Sequence, residues 1–110
     1  MAELIHRHSA VVKSADGKRY RAASYGERRR DGTWSGWIEF VPADGPQGIP
    51  LRTEQETSQP DRQAVEYWAG GLEPIYLEGA LRRAESGQRA EGRGQRAEGR
   101  SGQRVDLGRG

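Results

Sequence analysis

His6 and His8 are the only histidines among 110 residues. On an extended segment they project to the same side, a spacing that a metal ion can bridge. Two imidazoles do not complete a site. With no cysteine in the chain, a third ligand would have to come from Glu3 or a more distant acid, and no metal site is assigned. Glu54, Glu56 and Asp61 offer carboxylates for acid–base chemistry, yet all three precede or open an expected helix, where acids are favoured by capping and by the helix dipole alone. No catalytic residue is assigned. A Gly-x-Ser-x-Gly elbow, a Walker phosphate loop and a dinucleotide fingerprint are all missing, and the sixteen glycines fall in turns, a helix exit and a C-terminal repeat. The chain therefore reads as a non-enzyme that takes no cofactor.

The sharpest local feature is a cluster of cations and indoles. Arg28, Arg29 and Arg30 precede Asp31-Gly32, and Trp34 and Trp37 follow it, so one hairpin tip gathers three guanidinium groups beside two indoles. Such a tip can meet a phosphate backbone while an indole stacks on a base, or it can meet a protein partner. The same residues are also satisfied if the arginine stems lie across the tryptophan faces within the chain. These five are the candidate partner-binding residues, with a protein partner ranked ahead of nucleic acid.

The elements that would position them follow from punctuation and pattern. Asp16-Gly17, Asp31-Gly32 and Asp44-Gly45 are turn dipeptides, because Asp tolerates positive φ and Gly prefers it. Between them, Leu4 to Lys13, Arg19 to Arg28 and Thr33 to Val41 have strand character and predict an antiparallel meander. In the third strand, alternation puts Trp34, Gly36, Ile38 and Phe40 on the core face and Trp37 on the other. Leu51 to Thr53 predicts a short edge strand. A helix is expected to about Ala69, with Ser58 as cap, Pro60 and Asp61 in its first turn, and Gly70-Gly71 as a left-handed exit. Ala64, Val65, Trp68 and Leu72 would dock it on the sheet. Residues 74–84 fit either periodicity, and a strand at Ile75 to Leu77 followed by a helical turn or two is expected.

Composition divides the chain near residue 84. Every large aromatic residue precedes residue 77, and residues 85–110 hold only four apolar side chains: Ala90, Ala97, Val105 and Leu107. Gly87 to Arg93 recurs unchanged as Gly94 to Arg100. Seven is the coiled-coil period, but two glycines per unit and alanine as the sole apolar residue leave no seam to bury, so a disordered low-complexity tail is expected. Residues 1–84 carry twelve Lys/Arg and twelve Asp/Glu, so the excess that raises the isoelectric point to 9.3 sits in the tail. No stretch reads as a signal peptide or a membrane span, and a cytoplasmic protein without membrane contact is expected.

Asp31 to Phe40, Leu51 to Thr53, Glu56 to Pro60, Tyr67 to Ala69 and Tyr76 to Leu81 resemble a group of short, uncharacterised bacterial proteins, a likeness over roughly residues 19–84 that brings no activity with it. A fainter likeness is to the HicB-type antitoxin domain. Asp31-Gly32, the strand from Trp37 to Phe40 and the helix from Ala64 to Trp68 correspond, whereas Pro42-Ala43-Asp44-Gly45 replaces the loop expected of that family.

These readings combine into an α+β fold: residues 1–84 as an antiparallel sheet of three or four strands packed against one main helix, followed by the tail. Its expected role is a small protein-interaction module, HicB-like by the second resemblance. The alternative is a weak nucleic-acid-binding protein that uses the Arg28 to Trp37 hairpin with the arginines of the tail.

Overall fold

A computed structural model of the chain describes residues 1–45 and 49–94. Three long strands form an antiparallel meander: β1 (Glu3–Lys13), β2 (Arg19–Arg28) and β3 (Trp34–Pro42). Their two connecting turns fall at the expected Asp-Gly pairs. Gly32 has φ of 90°, a conformation that costs glycine little and a β-branched residue a great deal. Asp31 braces that turn by accepting from the Thr33 backbone N–H at 2.9 Å and from the Thr33 hydroxyl at 2.6 Å.

Two short strands share the lane beside β3. β4 (Leu51–Arg52) pairs with Glu39 and Phe40, and β5 (Thr57–Gln59) pairs with Trp34 to Gly36. The chain between them still satisfies the β3 edge. Thr53 N–H donates to the Ile38 carbonyl at 2.9 Å, the Thr53 hydroxyl accepts from Ile38 N–H at 3.1 Å, and Glu56 N–H donates to the Gly36 carbonyl at 2.8 Å. The sheet thus has five strands in four lanes, β1 forming one outer lane.

Two helices follow, α1 (Arg62–Gly70) and α2 (Pro74–Gly94). The cap of α1 is Asp61, whose carboxylate accepts from Ala64 N–H at 2.9 Å, rather than Ser58, because residues 57–59 are taken up by β5. Nor is its exit left-handed. Gly71 has φ of −93° and donates its N–H to the Trp68 and Ala69 carbonyls. The expected strand at Ile75 to Leu77 is instead the first turn of α2, where Pro74 occupies a position that needs no backbone donor. Leu77, Ala80, Leu81 and Ala84 recur at helical spacing, and each is at most 1% exposed. From that anchored start α2 continues past residue 84, since elongation needs no new nucleus. Residues 95–110, most of the expected disordered tail, lie outside the described residues.

Both helices pack on the same face of the sheet. Val12, Tyr20, Ala22, Ile38, Phe40 and Leu51 meet the buried face of α2 in the main core. At Gly26 and Gly36 the strands pass so close to α1 that a methyl group at Gly36 would lie 3.1 Å from the Trp68 ring, and 2.9 Å from Thr57 Cγ2 of the neighbouring β5. Glycine is what lets α1 approach there. Among the described residues, no helix is long and apolar enough to cross a membrane.

Candidate functional site: the open face of the sheet

The hairpin tip does not gather its five predicted residues into one surface. Trp34 and Trp37 point to opposite sides of β3, and both are buried, at 8% and 3% exposure. Neither indole is available to stack on a partner. Arg29 is committed within the chain. Its Nε donates to the Thr33 hydroxyl at 3.0 Å, and its terminal nitrogens donate to Gln55 Oε1 and Ser58 Oγ, tying the turn to β5. Arg28 and Arg30 remain exposed.

The three predicted acids also separate. Asp61 caps α1 and Glu54 is exposed. Glu56, with its side chain only 10% exposed, accepts from the Tyr76 hydroxyl at 2.5 Å and from Arg83 Nη2 at 2.6 Å. Burial, with the adjacent carboxylate second, pushes the Tyr76 hydroxyl up to about 12. Arg83 lies over the Tyr76 ring at 5.4 Å, so this cluster clamps α2 to the segment before β5.

His6 and His8 meet edge to face with ring centroids 4.7 Å apart. His8 Nε2 hydrogen-bonds Ser24 Oγ at 2.8 Å, and Ser24 is fully buried. Burial, and then the neighbouring His6, lower the His8 pKa from its ordinary value. Among the described residues, no cluster of three or more His, Cys, Asp or Glu side chains is placed to hold a metal ion. The imidazole instead satisfies a buried hydroxyl that would otherwise lack a partner.

The face turned away from the helices is a different surface, and register defines it. Cross-strand partners share a face, so the core pair Val12–Tyr20 puts the next pair, Lys13–Arg19, on the outside. The same logic places Val11, Arg21 and Val41 in one outward row, Arg7, Ala23, Glu39 and Arg52 in the next, and Leu4, Tyr25 and Trp37 in a third. The face therefore carries Arg7, Lys13, Arg19, Arg21 and Arg52 against Glu27, Glu39 and, at its edge, Asp44. Arg21 is flanked by Val11 and Val41, which are 42% and 46% exposed. Arg19 is bonded to Asp44 at 2.6 and 2.9 Å, and that contact holds the Asp44 carboxyl below its ordinary range.

Trp37 is the floor of this face. The Tyr25 ring stacks on it at a centroid distance of 6.3 Å and an interplanar angle of 14°, and the Arg52 guanidinium covers it at 4.4 Å. Its Nε1–H donates to Glu39 Oε2 at 3.0 Å. The indole is buried on a side where, among the described residues, neither helix packs. Side chains of the sheet itself do the covering.

Sequence reasoning found Trp37 and its opposite orientation but missed the surface around it. One signal was present: Arg19, Arg21 and Tyr25 alternate in β2 with the buried Tyr20, Ala22 and Ser24. In β1 the register irregularity between Leu4 and His6 breaks the alternation and hides the shared face of Leu4 and Arg7.

No family model matches the chain, and no curated protein or solved structure matches it.

Proposed function

We propose that the chain is a small non-enzymatic binding module that meets an acidic partner with the open face of its sheet. The observation that carries this reading is the composition of that face: five cations, of which Arg19 is paired with Asp44, and three partly exposed apolar residues spread over a floor already fixed by the Tyr25–Trp37–Arg52 stack. A surface held in place by its own side chains loses little conformational entropy on binding. Charge distribution supports the same reading. Residues 1–52 carry nine Lys/Arg and six Asp/Glu, whereas residues 54–84 carry three and six, so the neutral sum of the folded part conceals a basic sheet and an acidic helical layer.

The test compares two charge reversals in the full chain, Arg7→Glu with Arg21→Glu on the face and Arg28→Glu with Arg30→Glu at the hairpin tip, against a fluorescent 20-residue polyglutamate and a 20-nucleotide strand. All four positions are exposed, so both variants should fold. The face variant should lose at least tenfold in affinity for whichever polyanion binds, and the tip variant less than threefold. The reverse ranking would return the site to the hairpin and contradict the proposal.

A further inference from the structure

Resting on that reading, we infer that the partner of the open face is a single-stranded nucleic acid. Three features of the face favour it over an acidic polypeptide and over a duplex.

Four of its five cations are arginines, whose planar fork binds phosphate oxygens in pairs, while a lysine offers a point charge. These charges are not gathered in one spot. They extend from Arg7 and Lys13 on β1, through Arg19 and Arg21 on β2, to Arg52 on β4, with same-face positions recurring about every 7 Å along a strand. An extended polyanion with a charge on every unit can follow such an array.

Apolar and aromatic groups are interleaved with the cations. Val11 and Val41 flank Arg21, and Tyr25, half-buried and already stacked on Trp37, adds a π-surface next to the row of Arg7 and Arg52. Glutamate side chains have nothing to place on these groups. Nucleobases do, because each has an apolar face that stacks on an aromatic ring or a guanidinium plane whatever its identity. Recognition on this surface would therefore be tolerant of sequence.

The third feature is shape. The face is a sheet surface from which no described helix or ribbon projects, and reading a duplex through its major groove requires such an element. An unpaired strand can lie flat on a sheet.

The experiment uses the full chain and fluorescence anisotropy with three labelled probes: a 20-nucleotide oligouridine, a 20-base-pair duplex and a 20-residue polyglutamate. Single-strand binding should be at least tenfold tighter than either competitor. It should weaken about 50-fold between 50 and 200 mM salt if about four phosphates are neutralised. Arg7→Glu with Arg21→Glu should reduce it at least tenfold. Tyr25→Leu, which keeps the bulk and removes the ring, should reduce single-strand binding and leave polyglutamate binding unchanged.

Polyglutamate binding as tight as oligouridine, lost with the face reversal, would overturn the nucleic-acid inference and leave the open-face reading standing. Tight duplex binding with the same variant sensitivity would do likewise. Single-strand binding that survives the face reversal, or no binding by any probe, would overturn both.

Discussion

Phe40 and Val41 are neighbours in β3, yet one is fully buried under α2 and the other is 46% exposed on the open face. The helix side of the sheet is organised by close packing: aliphatic and aromatic side chains from β1, β2, β3 and α2 fill one another's gaps, and two glycines bring α1 onto the strands. The far side is organised by charge and stacking, with one indole as its floor. A single alternation of side chains thus produces two different materials, one that holds the fold together and one that lies open to solvent.

The comparison breaks most visibly at its central pair. Phe40→Ala should cost about 3–5 kcal/mol, the usual loss for a buried phenylalanine, whereas Val41→Ala next to it should stay within about 0.5 kcal/mol. Equal losses in urea unfolding would mean that the two faces are not differently packed. Gly36→Ala comes next. Its methyl group would press on Thr57 and Trp68, with an expected cost of about 1–3 kcal/mol, and a neutral result would show that α1 can move off the sheet freely.

Arg52→Ala tests the floor of the open face. Loss of the guanidinium over Trp37 should cost about 0.5–1 kcal/mol and shift tryptophan emission to the red as the indole gains water. Unchanged emission would mean that Tyr25 alone shields the ring.

The smallest expected effect concerns His8. Its pKa in the fold lies below the ordinary 6.5, so the unfolded chain takes up the proton first as pH falls. Stability is then full above about pH 6.5, declines as pH drops through that value, and levels off below the lowered pKa. His8→Gln should flatten the unfolding midpoint between pH 7 and pH 5, and an unaltered slope would assign the dependence to another group.

The meander was legible because its turns are spelled Asp-Gly and its third strand is dense in aromatic and β-branched residues. The core face of β3 was legible for the same reason, and so was the inverted position of Trp37. The second helix was harder to read: Ile75 and Leu77 alternate like a strand, and only contact with the sheet shows that Leu77, Ala80, Leu81 and Ala84 form the buried stripe. Ser58 looked like a cap because local chemistry cannot foresee that β3 needs residues 57–59 as an edge partner. The open face was least legible of all. Its cations come from β1, β2 and β4, a register irregularity interrupts the β1 pattern, and a charge sum over the domain reads zero. Register, a property of strand pairs, is what collects them.

The most direct test is to follow the backbone amide resonances of the full chain while oligouridine is added. The account predicts that the largest shifts fall on Arg7, Arg21, Ala23, Tyr25, Val41 and Arg52, with the amides of α1 and the Arg28 to Arg30 turn nearly still. Shifts concentrated on the helices or at that turn would contradict it.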